Sequence, residues 1–393
     1  MSIFYHKEKK MNFDLAEEHK MIREMAMNFA AKVIAPQTEE IVRTGNYPYK
    51  IIHQMAELGM MGIPFPEKYG GSDGDWVGMH LCIEEIAHGD ISLGALLDVT
   101  TSVCAQELFV FGTEDQKMKW LLPLAKGKKI GAFGLTEPDA GSDAKALRMT
   151  AVQDGDKWVL NGTKQFITNI GLDHASVLLT AAKIKNKDGA PLITTFIVPK
   201  DSTGFTVGTK YNKMGWEGSA THEVILEDCN VSDKNILGDP NRGFAQHLAV
   251  LETGRISIAA MSVGGAQACL DHSLRYSQER KQFGQPIFNF QAIQFKLADM
   301  AVSIEMARNL YLKAAWLKDN NRKYTFEAVS AKLYASEMFE KVASDAVQIH
   351  GGYGYMKEYP VCRFYKDCKI LQIVEGTSEI QRMIIGQILT GTR

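Results

Sequence analysis

Most of what the sequence reveals about the fold follows from IVEGTSEIQR, residues 373–382. Ser378 with Gln381 three residues later predicts a capping box, and Thr377 is an alternative N-cap. A helix is expected to follow, because apolar residues recur at helical spacing: Ile380, Met383, Ile384 and Ile388. Glu375 therefore lies on a glycine-containing loop before a helix. Two interpretations of Glu375 are possible: it is an acid that the helix dipole favours at this place, or it is a carboxylate base.

Length and composition narrow the class of protein. The 393 residues carry a net charge of −2, which favours neither a nucleic-acid nor an anionic membrane partner. We expect no transmembrane run, no secretory signal, and a loose extension over residues 1–10. The six cysteines are scattered without a Cys-x-x-Cys pair, which disfavours disulfides and a zinc site. They predict a reducing compartment such as a bacterial cytoplasm.

The residue pattern changes twice along the chain, from helical to strand-like and back to helical, which predicts three domains and an α+β fold. Residues 1–128 have helical periodicity, as at Ile22, Met25 and Phe29. Residues 129–236 alternate short β-branched runs with turn pairs, and residues 237–393 return to long helical patterns. The expected strands are Trp158–Leu160, Leu178–Thr180, Thr194–Val198 and Val224–Leu226, and the expected turns are Asp154-Gly155, Asn161-Gly162 and Asp188-Gly189.

Two further motifs accompany the first. GLTEPDAGSD occupies residues 134–143, and QIHGGYGY occupies residues 348–355. With residues 373–382, these stretches resemble the signatures of the acyl-CoA dehydrogenase family in order and spacing, over nearly the whole chain. The resemblance implies an N-terminal helical domain, a middle β-barrel-like domain and a C-terminal four-helix bundle. It also implies bound FAD and a role in fatty-acid β-oxidation.

The 134–143 motif, taken alone, is a surface loop rich in Gly, Asp and Pro. The chain has no Gly-x-Gly-x-x-Gly motif, which disfavours a Rossmann dinucleotide site. The resemblance implies instead that this loop and residues 166–168 line the flavin, with Phe166 where many family members carry tryptophan. The flavin contacts implied here are Phe133, Leu135, Thr136, Ser142, Phe166, Ile167 and Thr168.

The 348–355 motif follows a helical pattern, and a glycine helix end would explain one of its glycines. Three glycines so close together predict the approach of a large ligand such as a diphosphate. The resemblance implies that Arg280 binds the diphosphate half of FAD in a neighbouring subunit, and hence a homotetramer built as a dimer of dimers. The other cofactor contacts implied are Phe283, Gln291, Gln348, Gly351, Gly352, Thr377 and Glu379.

The resemblance also implies the reaction. Glu375 would remove the α-proton of an acyl-CoA, the β-hydride would pass to flavin N5, and electron-transfer flavoprotein would accept the electrons. Some family branches place their glutamate where this chain has Gly254, and those branches lack an acid at position 375. The substrate contacts implied are Ser142, Glu252, Arg255 and Gly376. Two alternatives are an enoyl-CoA reductase that uses the same site in reverse and a non-catalytic flavoprotein of the same fold.

Overall fold

A computed structural model describes residues 14–185 and 191–392. Helices come first, then a sheet, then long helices again, so the predicted α+β class and its order of elements are confirmed. The predicted extension at residues 1–10 lies outside the described residues. The boundaries at 128/129 and 236/237 stay predictions.

The first region is built from short helices. Ala26 and Phe29 are buried on the expected face of the first helix, and Ile51 and Met55 are buried on the third, whereas Leu58 is exposed just beyond it. The helices are α1 Glu17–Phe29, α2 Ala35–Thr44, α3 Tyr49–Glu57, α4 Trp76–Gly89, α5 Ile91–Leu97, α6 Gln106–Phe111, α7 Glu114–Gln116 and α8 Leu122–Ala125. The backbone is π-helical at Ala30–Ile34, Asp98–Ala105 and Lys117–Leu121.

The stretch Ile91–Phe111 corrects one expectation from the sequence. Its 21 helical residues reach a mean hydropathy of 1.3, so by length and composition alone it could cross a membrane. However, 83% of its most apolar part is buried inside the protein, as in a core helix. The stretch therefore forms an inner wall of the fold, made of α5, the π-helical segment Asp98–Ala105 and α6.

The middle region is one eight-stranded sheet. The strands are β1 Ile130–Gly134, β2 Thr150–Asp154, β3 Lys157–Thr168, β4 Ala175–Lys185, β5 Pro191–Pro199, β6 Phe205–Lys210, β7 Thr221–Ser232 and β8 Ile236–Leu237. They follow the order β6-β7-β3-β2-β4-β5-β8, and β1 pairs in parallel with β4. All four expected strand segments lie within β3, β4, β5 and β7.

The three expected turns have different outcomes. The turn predicted at Asp154-Gly155 joins β2 to β3, but one residue later, at Gly155-Asp156, because Asp154 still pairs with Lys157. The prediction for Asn161-Gly162 is wrong, because this pair lies inside β3, where the register to β7 shifts between Leu160 and Gly162. A β-bulge uses the same glycine chemistry as a tight turn, so the dipeptide does not distinguish them. Asp188-Gly189 lies outside the described residues.

The last region packs long helices around α9. The helices are α9 Gly243–Glu279, α10 Gln291–Asp319, α11 Thr325–His350, α12 Pro360–Leu371 and α13 Ser378–Thr390, and the short strands β9 Lys281–Gln282 and β10 Gln285–Pro286 form a hairpin after α9. The helix α9 contacts α4, α10, α11 and α12, which joins the two helical regions through one core. Short 3-10 helices occur at Met60–Gly62, Glu67–Tyr69, Ala144–Ala146, Asp233–Asn235, Ile287–Asn289 and Gly351–Tyr355.

Candidate active site

The loop that carries Glu375 is held by side-chain hydrogen bonds. Thr377 is the N-cap of α13 and its hydroxyl accepts from the Ile380 N–H at 3.3 Å, so the alternative cap is correct and the Ser378 capping box is wrong. The Gln381 amide instead donates backwards, to the carbonyls of Glu375 at 3.2 Å and Gly376 at 2.8 Å. This bonding fixes the turn that precedes the helix.

Two buried cations reach the same loop from neighbouring helices. The Lys332 ammonium on α11 donates to the Gly376 carbonyl at 2.8 Å, and its side chain is fully buried. The Arg255 guanidinium on α9 donates to the Glu375 carbonyl at 3.4 Å. Glu375 itself has φ = 55°, a backbone conformation that costs a non-glycine residue of order 1 kcal/mol or more. The surrounding donors stabilise that conformation.

The carboxyl group of Glu375 lies in a water-poor position. Burial raises its pKa to about 7, although hydrogen bonding by Asp98 and the charges of Arg255 and Lys332 oppose that rise. The side chain lies against α9 at Gly254, where a Cβ atom would be 2.2 Å from Oε2. A carboxyl group with such a pKa can accept a proton near neutral pH, as a general base requires.

Asp98 faces Glu375 from the π-helical segment Asp98–Ala105. Its side chain is 2% exposed and its carboxyl lies within hydrogen-bond reach of that of Glu375. Burial, first, and then the nearby Glu375 charge raise the pKa of Asp98 well above its usual range. The site thus contains two carboxyl groups in contact, of which the sequence indicated one.

The 134–143 motif is anchored by a buried ion pair. Lys164 on β3 donates to Glu137 Oε1 at 2.8 Å, and both side chains are buried. Glu137 also accepts from the Met149 N–H at 3.1 Å. The Gln165 N–H donates to the Thr136 carbonyl at 2.9 Å, which places Thr136 beside the end of β3. The structure therefore brings together the two segments predicted to line the flavin.

A bulge near the end of β3 orients the residues of the second segment. The register to β7 shifts between Lys164 and Ile167, and Phe166 has φ = 61°. Phe166 is consequently 60% exposed, with its ring 5.2 Å from that of Tyr211, whereas Ile167 is buried. Thr168 ends the strand opposite Thr221. This geometry gives an exposed aromatic wall next to a strand end.

Phe133 and Leu135 lie on the apolar side of this region. Both pack against a small cluster with Val250 and Leu251 of α9. The Phe133 ring stacks on His247 at 3.9 Å between centroids. Ser142 is exposed on the motif loop.

A cavity of about 510 Å³ lies at the end of α11. Arg280, Gly351 and Gly352 line it together, and the Arg280 guanidinium lies 5.6 Å from the centre of the Tyr353 ring. Gly351 has φ = 59°, and a Cβ at either glycine would meet no atom within 4 Å. A guanidinium beside open glycine backbone fits a diphosphate. Gly354 differs: a Cβ there would lie 2.5 Å from the Val347 carbonyl, so this glycine serves packing.

Several of the residues implied as cofactor or substrate contacts line neither the Arg280 cavity nor the Glu375 loop within a single chain. Gln348 and Gln291 are exposed, and Phe283 is 93% exposed with φ = 52°. Glu379 is exposed at the start of α13, and Glu252 lies near Lys318 and Tyr324 rather than at the Glu375 loop.

Sequence reasoning missed three residues of the site. Lys332 interrupts the buried face of α11 and Asp98 interrupts the apolar stretch Ile91–Phe111; an unexplained charge on a buried face was the available signal. Asn169 has φ = 74° and its amide reaches the carbonyls of Leu96 and Gly131 and the Thr100 hydroxyl, at 3.2–3.4 Å. It joins the end of β3 to the inner helical wall.

Comparison with known proteins defines the class of this chain. Family models match in three consecutive pieces: the acyl-CoA dehydrogenase N-terminal domain over residues 16–128, the middle domain over 132–229 and the C-terminal domain over 241–390. The chain belongs to the acyl-CoA dehydrogenase family, and it is an FAD-dependent oxidoreductase.

Individual relatives cover nearly the full length. The probable acyl-CoA dehydrogenase YngJ of Bacillus subtilis is 53% identical, over 96% of this chain and 100% of its own. The caffeyl-CoA reductase-Etf complex subunit CarC of Acetobacterium woodii is 44% identical, over 95% of this chain and 98% of its own. The solved butyryl-CoA dehydrogenase of Megasphaera elsdenii superposes with a TM-score of 0.94 at 42% identity, covering 97% of this chain and 100% of its own.

Proposed function

We propose that this protein oxidises a saturated acyl-CoA to the trans-2-enoyl-CoA, with Glu375 as the base. One observation carries the proposal: Oε2 of the half-buried Glu375 is shielded from solvent, the pKa of the carboxyl is raised to about 7, and the residue stands on a loop held by Lys332, Arg255 and Gln381. An α-proton next to a thioester requires a base of this kind, desolvated and fixed in place.

In this proposal the chain's own groups bind and orient the thioester. The backbone N–H of Glu375 donates to the thioester carbonyl, which stabilises the negative charge that develops as the α-proton leaves. The Glu375 carboxylate takes that proton. Positioning contributes in addition to basicity, because Lys332, Arg255 and Gln381 fix the peptide units on both sides of Gly376.

The residues of two regions, the cavity at Arg280 and the paired segments at Thr136 and Thr168, fit FAD. Arg280 and the open backbone at Gly351 and Gly352 suit its diphosphate, and the adjacent Thr136 and Thr168 segments offer polar groups and an aromatic wall for its ring. FAD, when bound, accepts the hydride from the β carbon. Phe166, with its ring 5.2 Å from that of Tyr211, is the aromatic residue of this wall.

The substrate and the partners are proposed from the relatives and the surface. Relatives named for short-chain and butyryl-CoA substrates favour a short acyl chain. The Etf-complex relative favours electron-transfer flavoprotein as the acceptor. Phe283, almost fully exposed on the hairpin after α9, favours a homotetramer that covers it. Six unpaired cysteines suit a reducing compartment such as the cytoplasm.

A second candidate is reduction of an enoyl-CoA by the same groups in reverse. It is supported by the 44% identity to a caffeyl-CoA reductase-Etf complex subunit. Glu375 would then deliver its proton to the α carbon, and the direction would depend on the substrate and the electron donor rather than on a different site.

The test is anaerobic mixing of the FAD-loaded protein with a panel of straight and branched acyl-CoAs. Dehydrogenation predicts loss of flavin absorbance with at least one substrate, and Glu375→Gln should slow that loss by about 10²- to 10⁴-fold. The matched control is Glu57→Gln, an exposed glutamate on α3, which should keep the wild-type rate. Enoyl-CoAs that reoxidise the reduced protein, with no acyl-CoA that bleaches it, would favour the reductase instead.

A further inference from the structure

Asp98 stands directly against the proposed base, although it is not part of any motif. It is the first residue of the π-helical segment Asp98–Ala105, which follows α5. Its side chain is 2% exposed, so its carboxyl group is isolated from bulk water. A buried carboxyl of this kind must find a donor, pair with a cation or keep its proton.

The groups around Asp98 decide among these possibilities. Its carboxyl is within hydrogen-bond reach of the Glu375 carboxyl and of the Ser257 side chain on α9. The cations of the site, Arg255 on α9 and Lys332 on α11, donate to the carbonyls of the Glu375 loop, and their charges favour the ionised form of Glu375 rather than of Asp98. No donor among the described residues reaches Oδ1 of Asp98 or Oε2 of Glu375. Two carboxyl groups thus meet beside the Ser257 hydroxyl, which itself donates to the Ser102 hydroxyl at 2.9 Å.

We propose that Asp98 and Glu375 share a single proton, held by Asp98 while Glu375 is ionised, and that Asp98 is a positioning residue for the base. Because the two carboxyls touch, both cannot be ionised without strong repulsion. The protonated Asp98 donates to the Glu375 carboxylate, which fixes its orientation and favours its ionised form. Glu375 alone receives the substrate proton, and Asp98 does not contact substrate.

The effect of the shared proton on the reaction rate rests on the proposed function, but the shared proton itself does not. The shared proton is a property of the folded protein, with or without acyl-CoA. It therefore predicts a pH dependence of stability. A carboxyl that keeps its proton in the folded state and loses it in the unfolded state makes folding less favourable as the pH rises above its ordinary pKa.

The first experiment measures thermal unfolding of the FAD-loaded protein from pH 5 to pH 8, for wild type and Asp98→Asn. Asparagine keeps the shape and can donate to Glu375 but has no proton to lose. The melting temperature of Asp98→Asn relative to wild type should therefore rise with pH. Thr101→Val, a buried change in the same segment that removes a hydrogen bond to the Met61 carbonyl, should shift the melting temperature equally at every pH. A difference for Asp98→Asn that does not change with pH would overturn the shared proton.

The second experiment measures single-turnover flavin reduction by the best acyl-CoA as a function of pH. Asp98→Val removes the donor, so the acid limb should move upward by about one pH unit, a tenfold change in the protonation equilibrium. Asp98→Asn should move it less, and Thr101→Val not at all. A uniform loss of rate in Asp98→Val with an unmoved limb would show a merely structural role. If no acyl-CoA reduces the flavin, the proposed function fails, and the unfolding experiment still decides the shared proton.

Discussion

Gly254 and the Glu375 carboxylate compete for one space: a Cβ atom at Gly254 would lie 2.2 Å from Oε2 and 2.5 Å from Oε1. Glycine at this position is therefore what admits the acid from the loop. By resemblance to the family, position 254 and position 375 are the two alternative places for a catalytic glutamate. The structure gives that alternative a geometric reason, because both positions lead to the same point beside α9.

Gly254→Ala should separate activity from stability. The substitution favours the helix by about 1 kcal/mol but displaces the Glu375 side chain. We expect flavin reduction to fall at least about tenfold, because a misplaced base loses its alignment, with no loss of melting temperature. Gly386→Ala in α13, where a Cβ would meet nothing within 4 Å, is the matched control and should leave the rate unchanged. Full activity in Gly254→Ala would mean that the carboxylate works from another position.

Flavin reduction by wild type should depend on pH through Glu375. Burial raises the pKa of this group to about 7, so the base is ionised above that pH and protonated below it. The single-turnover rate should thus be highest above pH 7 and fall about tenfold for each unit of pH below it. Stopped-flow reduction between pH 5.5 and 9 measures this. A rate that stays constant down to pH 5.5 would place the pKa of the base in its ordinary range.

Lys332→Met should weaken the loop without harming the fold. Methionine replaces the buried stem and removes both the bond to the Gly376 carbonyl and the cost of burying a charge, which already lowers the pKa of Lys332 to about 8. We expect a slower flavin reduction and an acid limb moved to higher pH, since a cation near the base is lost. The control is Lys341→Met, an exposed lysine on the same helix. Equal effects of the two variants would remove Lys332 from the site.

Arg280→Ala should reduce FAD retention by about one to two decades in affinity, the usual value of a charge-assisted contact to phosphate. If the neighbouring subunit completes the site, FAD loss should also increase on dilution, together with dissociation of subunits. Bound flavin and sedimentation across a dilution series measure both. Arg275→Ala, exposed on the same helix α9, is the control. Retention equal to wild type at every dilution would make Arg280 a solvated helix-end charge.

The sequence predicted the features that local chemistry determines. The order of helices and strands, the loop before α13 and the glycines after α11 all follow from short-range patterns. Two local predictions were wrong. Thr377 caps α13 instead of its neighbour Ser378, and Asn161-Gly162 forms a bulge instead of a turn. In both cases two local structures use the same residue types, and only tertiary packing selects between them.

The contacts that complete the site could not be predicted in this way. Asp98 meets Glu375 only because α5 and the loop before α13 are both packed against α9, and no local pattern reports that meeting. The role of Lys332 likewise cannot be read from its own helix, because it depends on the 2.8 Å hydrogen bond from its ammonium to the Gly376 carbonyl. Such residues come from distant parts of the chain, and their roles follow from the fold as a whole.

The π-helical segment Asp98–Ala105 lies in the inner wall formed with α5 and α6, and it determines how that wall would accommodate an insertion or a deletion. A π turn accommodates one residue more than an α turn, and removal of that residue restores α-helical periodicity. Because the π-helical segment absorbs the extra residue, α5 and α6 would keep their own buried faces toward the core after its removal. Only the side chains inside the segment, Asp98 among them, would change the direction in which they point. A change of one residue in length at this segment would thus act on the surroundings of the base without disturbing the packing of the flanking helices.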